Sequence, residues 1–324
     1  MKFFNIDLHI SVIEDIKNIF NDLGHHVESW CMSGHNWVFN REPAIPEIIN
    51  QNTWKSIDQS LCDKFYSRYK NELSGYDGFI CCYPPVFSTL FEKFDKPIFI
   101  VAATRYEYPL SNSIDGWKWL NDKLINMIDN NQVIPIANNK YDKFYCEYFL
   151  DREFTHIPNI CKYTNSDYSG TLSPIVSGRS QINGLRHVSS LGRHSWDELY
   201  SHKCIVHIPY NVSIMSIFEQ YTASVPIFFP TVDFGKKLPG YLSEIFFHPN
   251  ILNDENKILT DDSSIMLSDY YDKEWMPHIQ YYDSIEDLEY KLKSVNFKDI
   301  SISMKFHNVI RLEKTKELWS KYVK

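Results

Sequence analysis

The chain has no CxxC pair, no long apolar run, no excess of basic charge, no short-period repeat and no low-complexity tract. Each absence removes a class. The seven cysteines (Cys31, Cys62, Cys81, Cys82, Cys146, Cys161 and Cys204) are odd in number and several lie in apolar runs, which fits reduced core residues better than zinc ligands or a disulfide framework. Acidic residues outnumber basic ones, 41 to 33, for a formal charge of −8. Nucleic-acid binding depends on Lys and Arg neutralising phosphates, so a nucleic acid is not the expected partner. The start, "MKFFNIDLHISVIEDIK", is apolar for only a few residues before Asp7. It reads as neither signal peptide nor membrane span, and cytoplasmic residence is the expectation.

What is present describes a folded protein. Hydrophobic residues at 44% with charged residues at 23% place the chain among ordinary globular proteins. A length of 324 residues exceeds what one core usually serves, so two domains are expected.

The first half alternates strand-like and helix-like segments. "KFFNID" is a short apolar run, "SVIEDIKNIFNDLG" carries apolar residues at helical spacing and ends on Gly24, and "HHVESWC" reads as a second strand. The alternation continues through "YDGFICCYP", a helix at "PVFSTLFEKF", "KPIFIVAA", "DGWKWLNDKLINMIDNN", "QVIPIAN" and a helix around "KYDKFYCEYFL". From Pro158 to Gly184 the text turns rich in Ser, Gly, Asn and Pro and reads as a crossing between domains, with the boundary near residue 165. Beyond it come "LRHVSSLG" strand, "SWDELYSHK" helix, "CIVHIPY" strand, "VSIMSIFEQYTAS" helix and "VPIFFP" strand. The tail "DISISMKFHNVIRLEKTKELWSKYVK" reads as helix pairs that could pack back on the first domain. The fold class is therefore α/β, two Rossmann-like domains (1–165 and 166–324) with parallel sheets.

In such sheets ligands bind beyond the carboxyl ends of the strands. In the first half those ends carry Asp7 and His9, Tyr83, Arg105, and Asn138 with Asn139. A carboxylate and an imidazole two residues apart can orient each other for proton transfer, which makes Asp7 and His9 the catalytic candidates; His35 is a further candidate base. In the second half Gly192 and Arg193 follow a strand, where a guanidinium suits a diphosphate. "HIPYNVSIMSIFEQYTASVPIFFPT" puts Tyr210 in a turn, Ser213 at an expected N-cap, Ser216 one turn on and Glu219 within the helix. A carboxylate among apolar neighbours needs polar partners. Sugar hydroxyls of a bound nucleotide are one set; solvent, Lys203 or Arg193 are the other.

These residues, a strand, a serine-bearing turn, a helix with an internal Glu and then "VPIFFP", resemble the nucleotide-sugar glycosyltransferases of the GT-B fold. The resemblance implies two Rossmann-like domains facing a central cleft, with a nucleotide-sugar donor in the second and a glycan or other hydroxyl acceptor in the first. It assigns the diphosphate to Arg193, phosphate or sugar to Ser213 and Ser216, the ribose to Glu219, and the acceptor proton to His9 or Asp7, with Tyr210 and Arg105 lining the substrate. It implies metal-independent transfer with no cofactor beyond the donor, because helix dipoles and basic side chains stabilise a departing diphosphate. A second Glu at the E-x7-E spacing is absent, Ile227 standing eight residues beyond Glu219. Two other readings stay open: a nucleotide-sugar 2-epimerase of the same architecture, and a degenerate GT-B module that binds carbohydrate or protein without turnover.

Overall fold

The computed structural model describes residues 1–110, 113–244 and 256–323. The chain forms two units. One comprises Met1–Asn159, Leu318–Lys324 and the described part of 246–259; the other comprises Ile160–Ile245 and Thr260–Glu317.

The first unit is built from β1 (Lys2–Asp7), α1 (Ile10–Asp22), β2 (His26–Cys31), α2 (Gln59–Leu73), β3 (Gly78–Cys81), β4 (Ile98–Ala102), α3 (Ile114–Asp129), β5 (Val133–Ala137), α4 (Lys140–Leu150) and β6 (Thr155–His156). All strands are parallel, in the order β2-β1-β3-β4-β5-β6. Every residue of β3 and β4 is buried, as expected of strands covered on both faces, which is why they read as unbroken apolar runs. α1 buries Ile10, Ile13, Ile16 and Phe20 on one face. It stops where Gly24 takes φ +81° and the His25 N–H turns back to Phe20 O at 2.8 Å. α2, passed over in the sequence reading, is capped by Asp58, which accepts the Leu61 N–H. The segment read as a helix at "PVFSTLFEKF" is a 3-10 helix, Pro85–Phe94. Trp319 packs edge-on against Phe20 at 5.1 Å and lies 6.0 Å from Phe99.

The second unit contains β7 (Ile175–Gly178), β8 (Arg186–His187), α5 (Trp196–Tyr200), β9 (Ile205–Ile208), α6 (Met215–Thr222), β10 (Ile227–Pro230) and α7 (Val232–Gly235). After α8 (Asn256–Thr260) it resumes with α9 (Asp262–Ile265), β11 (Gln280–Tyr282), α10 (Ile285–Ser294) and α11 (Phe297–Ser320). Its parallel sheet runs β11-β10-β9-β7-β8.

Three expectations change here. The supposed crossing between domains contains β7, a strand in the interior of the sheet. Only Ile175 and Val176 of it are fully buried, too short a run for periodicity to flag. "LRHVSSLG" contributes just the two-residue edge strand β8 before a 3-10 turn at Val188–Leu191. The tail is one helix of 24 residues rather than a pair: no Gly or Pro interrupts it, and Asn308 in its middle spends its amide on the Tyr221 and Thr222 carbonyls.

In both sheets the first strand lies between the second and the third, the doubly wound order whose reversal creates a crevice. The two switch points are β1/β3 and β7/β9.

Candidate active site

At the first switch point β1 ends in Asp7, whose carboxylate is fully buried. Oδ1 accepts the His9 N–H at 2.8 Å; Oδ2 accepts the Cys82 N–H at 3.0 Å, the Tyr83 N–H at 3.2 Å and Asn5 Nδ2 at 3.3 Å. The carboxylate thus fastens the loop after β1 to the loop after β3. Burial pushes its pKa up to about 6 against the opposing pull of these donors. The expected mutual orientation of Asp7 and His9 is not what forms: Asp7 grips the backbone of His9, not its ring. The reason is local, since an Asp at a strand end readily accepts the N–H two residues on. The Asp7 carboxylate is thus engaged by backbone amides of both loops.

His9 precedes α1 and its ring stands edge-on to Tyr83 at 5.9 Å. Its Nδ1 is buried and has no hydrogen-bond partner among the described residues. Burial, then the nearby charge of His35, draws its pKa down to about 4, so the ring is neutral at pH 7 and a lone pair is available. His35 is exposed. Half-buried Tyr83 stacks on half-buried Tyr108 at 5.7 Å, and Tyr108 meets Trp54 at 5.6 Å. The sequence reading missed Tyr108 and Trp54; no periodicity marks loop aromatics.

Arg105 is 3% exposed. It pairs with Asp142 at 3.3 Å and donates to Thr104 Oγ1 at 2.8 Å, while Asn139 caps α4 by accepting the Asp142 N–H at 2.6 Å. This ion pair ties the loop after β4 to the first turn of α4, and the guanidinium is not presented to a ligand.

At the second switch point β7 ends in Gly178 with φ +137°, and a Cβ there would lie 2.2 Å from Ile208 O. Only glycine lets the ends of β7 and β9 approach this closely. Arg179 follows. Its guanidinium lies over the Tyr210 ring, 4.7 Å from the centroid, and makes a two-point contact with Glu244, Nε to Oε1 at 2.5 Å and Nη2 to Oε2 at 3.0 Å. The loop bearing Glu244 is laced to the turn after β9: Glu244 N–H donates to Tyr210 O at 2.8 Å and Asn211 Nδ2 to Glu244 O at 2.9 Å.

α6 begins one residue later than expected. Its N-cap is Ile214, not Ser213, and the Ile214 N–H faces the buried carboxylate of Asp269 at 3.4 Å. Ser213, Ser216, Glu219 and Thr222, spaced three apart, form the half-exposed stripe of the turn and helix, while Ile217, Phe218, Gln220 and Tyr221 are buried. Glu219 is therefore not sunk in the apolar face. Its Oε1 accepts the Tyr163 hydroxyl at 2.5 Å, and Tyr163 in turn leans on Trp196 at 5.9 Å.

Of the residues selected from sequence, Tyr210 stands at the second switch point, and Ser213, Ser216 and Glu219 share one stripe. Arg193 lies elsewhere, on an exposed loop after the edge strand, two residues before the Ser195 cap of α5. The arginine that follows the unit's first strand is Arg179. The same signal, Gly-Arg after an apolar run, occurs at both places, but "PIVSGR" lies within the Ser- and Gly-rich stretch whose composition marks a crossing rather than a strand.

Among the described residues no cluster of three or more His, Cys, Asp or Glu could hold a metal ion, and no helix is long and apolar enough to cross a membrane. All seven cysteines are buried free thiols, and burial raises those of Cys31 and Cys62 to about 12 and about 11.

No family model matches the chain, and no curated protein matches it. Among solved structures it is similar to the glycosyltransferase SnogD from Streptomyces nogalater at 9% identity, over 99% of each chain, with a TM-score of 0.48. The glycotransferase of kitacinnamycin is 10% identical over 99% of this chain and 98% of that one, TM-score 0.48. The spinosyn forosaminyltransferase SpnP is 10% identical over 98% and 99%, TM-score 0.46.

Proposed function

We propose that the chain transfers a sugar from a nucleotide-diphosphate sugar held by the second unit to a hydroxyl acceptor held by the first. The observation that supports this most is the pairing of Arg179, at the carboxyl end of β7, with Tyr210, beyond β9, at the point where a doubly wound sheet takes its ligand. A fork of N–H donors there suits a diphosphate. Ser213 and Ser216 supply hydroxyls nearby in sequence, and Glu219 on the same stripe accepts ribose hydroxyls.

The chemistry follows from the groups. The acceptor hydroxyl gives its proton to the neutral imidazole of His9, its oxygen bonds to the anomeric carbon, and the bond from that carbon to the diphosphate oxygen breaks with the electron pair leaving on the diphosphate. Arg179 meets the charge that departs. A single displacement of this kind inverts the anomeric centre. Arg193 is the alternative diphosphate ligand.

A second reading, binding without turnover, draws on Glu244 and Asp269. These carboxylates already face the two groups, Arg179 and the start of α6, on which a diphosphate would rely.

Calorimetric titration with UDP, GDP, dTDP, ADP and CMP, with and without magnesium, separates the two. The transferase reading expects one nucleoside diphosphate to bind selectively without metal, with at least about tenfold loss in Arg179→Ala and in Glu219→Ala, roughly one charge-assisted hydrogen bond each. It expects little change in Arg193→Ala. A loss confined to Arg193→Ala would move the diphosphate to that loop, and no binding to any nucleotide would leave the binding module.

A further inference from the structure

The second unit carries an open cleft of about 820 Å³ at the amino ends of its strands. Tyr168, Ser169 and Gly170 come to it from the segment before β7, Lys203 from just before β9, and residues 294–298 from the turn between α10 and α11. Because the strands are parallel, this edge of the sheet lies opposite the carboxyl ends where Arg179 and Tyr210 stand. The cleft is separate from the proposed donor site.

Cations gather around it without counter-charges. On α11, Lys298, Ser301 and Lys305 follow one another at i, i+3 and i+7 and share the face turned to the cleft. Lys203 joins them from the sheet side on a fixed backbone, its N–H donating to Leu172 O at 2.8 Å and its carbonyl accepting the Tyr168 hydroxyl at 2.8 Å. Gly170, at φ +63°, leaves that hydroxyl room, since a Cβ there would stand 2.3 Å from it. Among the described residues no carboxylate lines the cleft. Exposed Asp167 and Asp299 neighbour it in sequence, and Asp299 accepts the Asn296 side-chain amide at 2.8 Å. Among the described residues none of the three ammonium groups has a partner. Lys236, Lys291, Lys293, Lys314 and Lys316 of the same unit, by contrast, each stand within 4.0 Å of a carboxylate. In a chain of net charge −8, three unpaired cations around one cleft repel one another, and an anion bound among them removes that repulsion. The hydroxyls of Ser169 and Ser301 add donors.

We infer that this cleft binds a small anion carrying two or more phosphate groups, held by Lys203, Lys298 and Lys305. One phosphate group carries about −1.5 to −2 at pH 7, too little to balance three ammonium groups, whereas a short chain of phosphates matches them. Exposed lysines are point charges on flexible stems, so the site selects charge more than shape, and binding should weaken as salt is added. The inference is independent of the proposed activity.

Calorimetric titration of the full chain with tripolyphosphate and with orthophosphate, without magnesium, tests it. The expected result is tripolyphosphate binding with a dissociation constant below about 1 mM, at least about tenfold tighter than orthophosphate. Lys203→Gln, Lys298→Gln and Lys305→Gln should each weaken it about three- to fivefold and the triple variant about thirtyfold or more, with circular dichroism unchanged. Arg179→Ala should leave it as it is. No binding at about 1 mM overturns the inference, as does equal affinity for the two anions or binding that survives in the triple variant. A loss confined to Arg179→Ala would put the anion in the β7/β9 crevice and overturn it too. Pelleting with phosphatidylcholine–phosphatidylserine vesicles that the triple variant abolishes, without tripolyphosphate binding, would assign the lysines to a lipid surface instead.

Discussion

The two switch points share a strand order and are finished in opposite ways. At β1/β3 a carboxylate belonging to the strand itself, Asp7, turns inward and takes the amides of both neighbouring loops, so the crevice floor is sealed by hydrogen bonds. At β7/β9 the strands are brought together by the lack of a side chain at Gly178, and the charged groups Arg179 and Glu244 stand outward. The first arrangement leaves a neutral imidazole and two half-buried tyrosines at the rim. The second leaves a cation on an aromatic face. One topology serves in one case to hold loops still and in the other to present charge, a difference that the proposed hydroxyl and anionic substrates would use.

The comparison breaks first at Asp7. Asp7→Ala leaves three backbone N–H groups without this acceptor, that of Cys82 buried and those of His9 and Tyr83 part-buried, so at about 1–3 kcal/mol for a buried orphan the first unit should lose about 2–3 kcal/mol in denaturant unfolding. Asp7→Asn keeps an acceptor and reports on the charge alone. With its folded pKa raised to about 6 from 3.8, Asp7 binds more protons folded than unfolded between those values, so its contribution falls as pH rises through that window. His9 runs the other way: lowered to about 4 from 6.5, it binds more protons unfolded, and its contribution rises with pH. Removing the Asp7 term should therefore make stability climb more steeply from pH 4 to pH 6, by up to about 1.4 kcal/mol per pH unit. An unchanged slope in urea titrations would show that Asp7 is not the buried acid described.

Gly178→Ala tests the other closure. The new Cβ meets a backbone oxygen that cannot swing aside, in a conformation L-residues rarely adopt, and about 1–3 kcal/mol of strain is expected. Nucleotide affinity should fall with it, because the shift displaces Arg179, whereas Asp7→Asn should leave that affinity unchanged. Equal effects of both substitutions on nucleotide binding would contradict the assignment of donor and acceptor to separate units.

What could be read from sequence depended on run length and on period. β1, α1 and β2 were legible because Ile13, Ile16 and Phe20 keep helical spacing between two apolar runs and Gly24 ends it. β9, α6 and β10 were legible for the same reason. β7 was not, since two buried residues followed by Ser177 and Gly178 look like a turn, and without that strand the arginine after the unit's first strand reads as Arg193 rather than Arg179. The stripe of Ser213, Ser216 and Glu219 was present in the spacing. That Ile214 rather than Ser213 stands at the N-cap was not, because the group that faces the Ile214 N–H, the Asp269 carboxylate, lies 55 residues away. The aromatics Trp54 and Tyr108 meet only through tertiary folding.

The smallest effect is expected at Tyr163, and it bears on the question Glu219 raised in the sequence. The hydroxyl contact at 2.5 Å fixes one oxygen of a half-exposed carboxylate. Tyr163→Phe removes that contact while keeping the ring against Trp196, so stability should change by no more than about 1 kcal/mol. If the tyrosine only holds Glu219 in place for a ribose, nucleotide affinity should drop by a few-fold, well short of Glu219→Ala, because an unpinned carboxylate must be ordered again on binding. A gain in affinity would mean that the hydroxyl occupies the place of the ribose and competes with it. A loss equal to that of Glu219→Ala would make the pair, rather than the glutamate, the unit that binds.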